Sequence, residues 1–468
     1  MTESTVVCGK SRSVRFMKGR TIDVDAIDTI CDAPRSTRGQ RRRDAASSRG
    51  WLGVKAETSG RPARSRVPAG LALCVILIVG LTPVNLVARV QAVAVPIPAA
   101  PPKDHYDYAG LIHVHSNYSD DASASYASLA QAAAEQDIRF LIVTDHNTLA
   151  PITAGEEGWR NGVLMLSGAE SLRQEGHLLT MNVRSVSLSS DGTTGAFLGA
   201  VSREGGLSLI AHPAHRKWGW RGPIDNRVAG MEILDLADQF HAAPVSSKLA
   251  AIAILPFDRM RAYLELGTDN APALRIWDKM TQRRRFVGVY APDIHQSIEL
   301  WAGRQWAFPP AAEIMQIARN HIVSDVPMTG DFEADRSLVY DAVNDGHLYV
   351  SLDVLGDAAG FMFTGTSGGT RVLMGDEFVA SSGTTYTVTL PNTAVALGAV
   401  TRVLRNGEVV ATSQPGALTY AYRDDRPGVY RIECVVMIPT AFGAERQVTW
   451  IYSNPIYGRS LISPAVSG

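Results

Sequence analysis

The stretch Leu111-Ile-His-Val-His-Ser-Asn-Tyr-Ser-Asp-Asp121 begins as an apolar strand and ends in residues that commonly bind metal ions. His113 and His115 are two positions apart, so on a regular strand both side chains point to the same face. Two imidazoles side by side at a strand end can share one metal ion. Asp120 follows in a Ser/Asn/Asp segment that is typical of a loop. The alternative is a pair of surface histidines on an edge strand, and the His-x-His pair alone does not decide between them.

Apolar runs that end near a metal-ligand residue recur from residue 140 to residue 295. The runs 140–143, 163–166, 207–211 and 286–290 are followed by His146, Glu170, His212, and Asp293 with His295, and His177 begins a further run. Runs of this length are typical of buried parallel strands, and the Ala-rich segment 126–136 has helical composition. Barrels of parallel strands place their active site at the C-terminal strand ends, whereas a doubly wound sheet gathers ligands from fewer strands. The pattern therefore predicts an α/β barrel.

The candidate metal ligands are imidazoles and carboxylates. They are His113, His115, Asp120, His146, Glu170, His177, His212, Asp293 and His295. A mononuclear site needs three or four protein ligands, so this set favours a cluster of two or three ions. Nitrogen and oxygen donors suit Zn, Mn or Fe. Such ions activate water and stabilise an oxyanion, which predicts hydrolysis at phosphorus or at a carbonyl carbon.

The number of cysteines and the net charge limit the possible metal ligands and the possible class of substrate. The chain has 468 residues, a net charge of −1 and four cysteines, of which only Cys434 follows the apolar stretch that ends near residue 88. A lone cysteine cannot form an internal disulfide, and the chain has no Cys-x-x-Cys pair for zinc. The charge gives no sign of a nucleic-acid partner, so we expect a small-molecule substrate. The oligomeric state is left open.

The N-terminal hundred residues have the pattern of a leader. Residues 1–66 are polar and Arg-rich, which predicts disorder, and residues 67–88 carry no charge. With Ala92-Val93-Ala94 as a cleavage site, residues 67–94 are typical of a signal peptide or of an uncleaved membrane anchor. A buried core helix is the alternative. Both membrane interpretations place the rest of the chain outside the cytoplasm, periplasmic or secreted, and allow an N-terminal membrane contact. Residues 95–104 are Pro-rich and predict a stiff linker.

The C-terminal region, residues 356–468, has a different sequence pattern, with short alternating segments separated by turn signals. Residues 384–390 alternate with a period of two, and residues 405–408 (Arg-Asn-Gly-Glu) are a hairpin signal. Further short strands are predicted over 428–436 and 447–452. This spacing predicts a small β-sandwich after a barrel that spans residues 105–355.

The ordered motif set resembles the PHP (polymerase and histidinol phosphatase) superfamily over about residues 105–350. The matching elements are His113-x-His115-Ser, Ser119-Asp120, Thr144-Asp145-His146, Glu170, Ala211-His212-Pro213 and Asp293-x-His295. The resemblance implies a distorted seven-stranded, TIM-like β/α barrel with a trinuclear metal centre. Segments 428–433 and 450–457 look like the tail of the exported PHP metallohydrolases that are grouped with carbaryl hydrolase.

The resemblance also implies a role for each ligand. His113, His115, Glu170 and Asp293 would hold one ion, Glu170 would bridge to a second held by His177 and His212, and Asp120, His146 and His295 would hold the third. Asp145 would orient a ligand histidine from behind, so the residues expected to carry catalysis are Asp145, Glu170, His212 and Asp293. Asp121 stands where the family often has Gly, so Asp120 and Asp121 could exchange roles. His177 is assigned by its order in the chain.

The family implies a phosphoesterase, and the C-terminal resemblance permits a carboxyl-ester or carbamate hydrolase. Arg216, Lys217 and Arg221 follow His212 and are candidates for binding a substrate phosphate, with a solvated loop as the alternative. Glu232 and Asp235 could line the barrel or support a ligand. A non-catalytic binding or assembly module is the third interpretation, although every expected ligand position is filled.

Overall fold

The computed structural model describes residues 105–460, except 268–269, 296–297, 302–303, 307–308, 381–382 and 441–442; the side chains of 298–301 and 304–306 are likewise not described. The predicted leader, signal or anchor segment and linker, residues 1–104, lie outside the described residues. Within the described part, no helix is both long enough and apolar enough to cross a membrane.

The strands of the described residues are short. They are β1 Tyr106–Val114, β2 Phe140–Val143, β3 Gly158–Arg160, β4 Val163–Ser167, β5 Ala169–Leu172, β6 His177–Met181, β7 Leu207–Ile210, β8 Gly230–Asp235, β9 Val287–Ala291, β10 Ile298–Trp301, β11 Arg304–Trp306, β12 Arg319–Ser324, β13 Leu348–Ser351, β14 Met362–Ser367, β15 Thr370–Leu373, β16 Glu377–Val379, β17 Thr385–Thr389, β18 Val400–Arg405, β19 Glu408–Thr412, β20 Thr419–Arg423, β21 Gly428–Pro439, β22 Glu445–Ser453 and β23 Ile456–Arg459.

All but the last of the described helices precede β14, and the last lies in the C-terminal, strand-rich part. They are α1 Tyr126–Ala134, α2 Ala150–Thr153, α3 Thr194–Arg203, α4 Leu236–Ala242, α5 Val245–Ile254, α6 Arg259–Glu265, α7 Ala271–Thr281, α8 Ala311–Ile314, α9 Phe332–Asp345 and α10 Thr393–Leu397. The predicted helix over 126–136 corresponds to α1, which Ser125 caps by accepting from the backbone N–H of Ser128. Its Tyr126 and Leu129 are buried in the core.

Two sheets carry the predicted ligand residues. In the first, β1 pairs in parallel with β2 and β2 with β4. Strands β2 and β4 are buried throughout and are apolar strands expected from the sequence. The second has the order β5-β6-β7-β8-β9. Its first three strands are antiparallel neighbours, whereas β7, β8 and β9 are parallel. The fold is therefore a mixed α/β arrangement.

The expected TIM-like barrel is not confirmed, because no continuous ladder closes the two sheets into one cylinder among the described residues. They are joined by isolated bridges, Val114 to Ile294 and His146 to Glu170. The extended backbone is interrupted next to the first of these bridges, because Asp293 has φ 49°. A regular ladder cannot continue through a left-handed residue. Gly168, between β4 and β5, passes so close to β6 that a Cβ would lie 2.5 Å from the Thr180 carbonyl oxygen.

A β-rich part follows β13. The first sheet runs on without a break, in the order β16-β23-β21-β22-β13-β12-β1-β2-β4-β3, and β18 and β19 extend it from β21. A separate sheet, β15-β14-β17-β20, shares an apolar core with it that includes Phe363, Tyr386, Ile432 and Trp450. The predicted boundary at residues 355–356 falls between β13 and β14, although hydrogen bonds from β13 to β22 connect the two parts.

Candidate metal centre

The predicted ligands lie where strands end, and several have unusual backbone conformations. His113, His212 and Asp293 have φ values of 73°, 30° and 49°. Non-glycine residues rarely adopt positive φ, and such residues concentrate at functional sites. His113 lies where the register of β1 against β2 shifts, so a bulge rather than plain strand alternation directs its ring. The His113 and His115 rings are nevertheless 5.1 Å apart, and both are fully buried.

The first group of donor atoms converges between β1 and the end of β9. Asp293 Oδ1 is 3.4 Å from His113 Nε2 and 3.3 Å from His115 Nε2. Glu170 Oε2 is 3.3 and 3.4 Å from the same two nitrogens. His113 Nε2, His115 Nε2 and Asp293 Oδ1 are buried and have no hydrogen-bond partner. Because buried polar atoms are normally paired, three convergent unpaired atoms of metal-ligand type fit a bound cation.

A second group is built on the β5–β6 hairpin and the end of β7. Glu170 Oε1 lies 2.5 Å from His177 Nδ1 and 2.9 Å from His212 Nε2. His177 is the first residue of β6, which is antiparallel to β5 and pairs His177 with Leu172. It therefore reaches the site from the start of an antiparallel strand, unlike the ligands that follow parallel strands.

A third group lies closer to solvent. His146 Nε2 is 3.3 Å from His295 Nε2, and the His115 and His295 rings stack with centroids 4.1 Å apart. Asp121 Oδ2 is 3.2 Å from His146 Nε2 and 3.5 Å from His295 Nε2. Asp120 and Asp121 are both exposed and neither belongs to the closest donor groups of the described residues, but of the two only Asp121 forms ion pairs with these imidazoles. Asp121, rather than Asp120, thus lies beside the imidazoles of this group.

The carboxylates and imidazoles of the cluster shift one another's pKa values. Burial alone would raise the pKa of Glu170, but His113 and the other imidazoles hold it well below its usual range. Burial would lower the pKa of His113, yet Glu232, Asp293 and Glu170 raise it well above its usual value. Such a cluster, in which ionised carboxylates lie among imidazoles that can bind either a proton or a metal ion, is typical of a divalent-cation site.

The other imidazoles of the cluster differ in pKa. Against the effect of burial, hydrogen bonds with Asp121 and Glu170 raise the pKa of His146 to about 10. Burial and the charge of His295 lower the pKa of His115 to about 3. The lowered pKa favours the neutral form of His115, which is the form that binds metals.

Glu232 on β8 supports two ligands from behind. Its Oε1 lies 2.6 Å from His113 Nδ1, and its Oε2 accepts from the backbone N–H of His212. The carboxylate is fully buried. A carboxylate on the far nitrogen fixes the tautomer and the orientation of a metal-binding histidine. The sequence identified Glu232 as a residue that could support a ligand but did not identify which ligand.

Asp145 contacts the serines of the first loop rather than a ligand histidine. Its carboxylate accepts from the backbone N–H and hydroxyl of Ser116, both at 2.7 Å, and from the Ser119 hydroxyl at 2.9 Å. Ser119 Oγ in turn lies 3.2 Å from His115 Nδ1 and accepts from the backbone N–H of His146. Asp145 thus reaches the ligands through Ser119, which belongs to the sequence motif but to which sequence reasoning gave no role.

The loop after His212 borders the site. Trp218 is 44% exposed, and its ring centroid lies 5.6 Å from that of His177. Lys217 Nζ lies 4.5 Å from the centroid of the same indole. Arg221 donates to the backbone carbonyls of Arg216 and Lys217 at 2.9 and 3.1 Å, so its guanidinium holds the loop together. An aromatic surface with one cation therefore lies beside the second ligand group.

Comparisons with known proteins add little to this geometry. No family model matches the chain, and no curated protein matches its sequence. A crystal structure of a two-domain protein from Bacteroides vulgatus, described as containing a predicted PHP-like metal-dependent phosphoesterase, is 10% identical with a TM-score of 0.37. The match covers 74% of this chain and 96% of that chain. At this level of similarity, the metal centre is assigned from the positions of its own donor atoms.

Proposed function

We propose that this protein is a metal-dependent hydrolase of the PHP type. The observation that carries the proposal is the convergence of the buried, unpartnered atoms His113 Nε2, His115 Nε2 and Asp293 Oδ1 beside Glu170. Three further points support it: the second donor group, the third donor group and the carboxylate behind His113. Nothing in this set needs a thiolate, in keeping with Zn, Mn or Fe as the bound metal.

The three donor groups suit two or three divalent ions. Glu170 would bridge the first group and the second, because its two oxygens face different imidazoles. Asp121 would take the place expected for Asp120 in the third group. Divalent ions in such a cluster supply an activated water and stabilise the oxyanion and the leaving oxygen.

The protein side chains prepare the site for that chemistry. Glu232 orients the His113 ring and also restrains the backbone of His212. The Asp145–Ser119 pair restrains His115 and the loop that bears His146. Burial of Glu170 and His113 excludes water from the inner side of the cluster, which strengthens the electrostatic interactions there.

We propose a phosphoesterase reaction on a small-molecule ester. A carboxyl-ester or carbamate hydrolase is the second candidate, favoured by the exposed Trp218 beside His177, which could stack on an aryl leaving group. Lys217 is next to this indole and could bind a substrate phosphate, whereas Arg221 is engaged with the loop backbone. The same cluster serves both reactions.

We also propose that the protein acts outside the cytoplasm, as an exported or membrane-anchored enzyme. The support is the sequence pattern of residues 67–94, an uncharged apolar stretch followed by a small-residue cleavage site.

The test is metal content together with turnover on the full chain. Metal is counted per chain after reconstitution with Zn, Mn or Fe, and hydrolysis is compared on an aryl phosphodiester, an aryl monophosphate and an aryl carbamate. Bound metal with phosphate-ester turnover supports the phosphoesterase. Turnover of the carbamate alone moves the assignment to the second candidate. Bound metal without turnover of any ester indicates a binding module, and a chain that binds no metal contradicts the proposal.

A further inference from the structure

His177 is held differently from His113, although both are candidate ligands. Behind His113, the Glu232 carboxylate fixes the ring nitrogen that faces away from the first donor group. His177 Nδ1 faces Glu170, whereas its Nε2 has no hydrogen-bond partner among the described residues. Metal-binding histidines usually have a carboxylate, a carbonyl or a water at the second nitrogen. A side chain that orients the His177 ring must therefore act through contacts other than hydrogen bonds.

The ring that lies against His177 is the indole of Trp218. The two ring centroids are 5.6 Å apart, and the ring planes are inclined by 32°. Aromatic pairs with centroids about 4.5–7 Å apart stabilise one another beyond the area that they bury. His212 also contacts His177, with centroids 5.0 Å apart, but His212 is itself a candidate ligand. In the described part of the chain, Trp218 is thus the aromatic neighbour of His177 that is free to orient it.

The loop that carries Trp218 is fixed at several points. The backbone N–H of Trp218 donates to His215 Nδ1 at 2.9 Å. The backbone N–H of Arg221 donates at 2.6 Å to the carbonyl of Glu175, which lies in the turn between β5 and β6, just before His177. The loop and the turn that leads into His177 are therefore held together by the backbone.

Close packing between the loop and this turn also restrains the indole. A Cβ on Gly176, the residue before His177, would lie 3.2 Å from the Cα of Trp220 and 3.3 Å from the carbonyl oxygen of Trp218. Lys217 Nζ, 4.5 Å from the centroid of the Trp218 indole, adds a cation–π contact. The indole therefore has a defined position against the His177 ring.

We propose that Trp218 is a positioning residue of the metal centre, whose indole holds the His177 ring in the orientation that binds the ion of the second donor group. The inference rests on the proposed metal-dependent function and deepens it. A side chain loses rotational freedom when it is fixed on a metal ion, and a ring that already stacks on an indole has less freedom to lose. At His177, stacking thus takes the place of the carboxylate that supports His113.

The test measures Zn²⁺ bound per full chain as a function of free Zn²⁺ for Trp218→Leu and Trp218→Phe. Leucine is apolar but has no ring, so the ion of the second group should bind about 10-fold more weakly. Phenylalanine keeps an aromatic face and should restore most of the wild-type affinity. Phe257→Leu is the matched control, because Phe257 is 82% exposed between α5 and α6, and it should bind Zn²⁺ as wild type does.

A double-mutant cycle with His177→Ala separates an effect through His177 from a general effect on the loop. Trp218→Leu should weaken Zn²⁺ binding in the wild-type chain and change nothing further in the His177→Ala chain. Equal weakening in both chains, or none in either, would overturn the inference and leave the proposed metal centre intact. A wild-type chain that binds no metal would overturn the proposed function and this inference with it.

Discussion

At Glu170, two carboxylate oxygens divide between two sets of imidazoles. Oε1 faces the second donor group and Oε2 faces the first, so one side chain contacts His113, His115, His146, His177 and His212. The carboxylate is 2% exposed and stays ionised because the imidazoles lower its pKa. A change at this residue would therefore affect both of the ions that we propose for these two groups.

Glu170→Gln should remove metal from the first two groups, because an amide has no charge and points a donor at one set of imidazoles. We expect at least one ion fewer per chain and a loss of turnover on the order of 100-fold or more. Metal analysis and steady-state kinetics measure both. The control is Glu408→Gln, at an exposed position on β19, which should behave as wild type. Full metal content in Glu170→Gln would contradict the bridging role.

Glu232→Gln tests the support behind two ligands. An amide has a single acceptor oxygen and cannot serve both His113 Nδ1 and the backbone N–H of His212. Metal affinity should fall by about 10- to 100-fold, and added metal should restore part of the turnover. Titration of turnover against free metal measures the shift. Unchanged affinity would show that Glu232 does not orient the ligands.

Asp120 and Asp121 provide a matched pair of neighbouring carboxylates. Asp121→Asn should weaken binding of the ion at the third group, because its carboxylate lies 3.2 Å from His146 Nε2. Asp120→Asn should leave metal content unchanged, since of these two exposed neighbours only Asp121 lies within ion-pair distance of His146 and His295. Metal analysis of the two variants side by side distinguishes them, and the reverse result would return the role to Asp120.

At the scale of elements, the strands that bear ligands are also held by pairs far from the metal centre. Asp107 on β1 lies 2.8 Å from His321 Nδ1 on β12, and Asp353, just after β13, lies 3.3 Å from His321 Nε2. Burial would lower the pKa of His321, but Asp107 and Asp353 raise it to about 9. The two ion pairs of His321 stabilise the ladder from β1 to β13.

The stability contributed by His321 should depend on pH. Its pKa in the folded protein lies above the ordinary value of 6.5, so the contribution is complete below pH 6.5 and is lost as the pH rises through about 9. At most about 3 kcal/mol of unfolding free energy is involved. Chemical denaturation of wild type and Asp107→Asn across this range gives the difference.

The difference in unfolding free energy between wild type and Asp107→Asn should shrink toward alkaline pH. The control is Asp341→Asn, at an exposed position on α9, which should not change the slope. A difference that stays constant from pH 6.5 to pH 9 would show that His321 is not held protonated by Asp107.

At the scale of the whole molecule, the β-rich part directly supports the strands that carry the candidate ligands. Asn454, buried after β22, donates to the carbonyls of Gly288 and Leu348 and accepts from the backbone N–H of Gly288. Arg431 on β21 forms an ion pair with Asp278 on α7 at 2.7 Å. Strand β9, which leads to Asp293, is therefore fixed from the C-terminal side.

A chain that ends at residue 355 should fail to fold. It would expose the edge of β13 and leave the backbone groups of Gly288 and Leu348 without the side chain of Asn454. A chain that ends at residue 460 and shares the same N-terminus should fold as the full chain does. Circular dichroism and thermal unfolding compare the two, and a cooperative transition in the shorter chain would contradict this expectation.

The sequence alone identified the residue types, their order and their places at strand ends. His113, His115, Glu170 and Asp293 could be singled out because apolar runs of strand length end near them. Such a pattern is local, since alternation and run length reflect burial of neighbouring residues. For the same reason, the apolar strands β2 and β4 could be predicted from the sequence closely.

Only the tertiary structure decided how those residues meet. The bulge at His113, the left-handed Asp293 and the antiparallel entry of His177 depend on packing between strands that are distant in sequence. The same contacts bring Asp121 rather than Asp120 beside His146, place Glu232 behind His113 and continue the first sheet into the β-rich part. A sequence determines which side chains are available along each element, whereas register and closure depend on the summed packing of the whole chain.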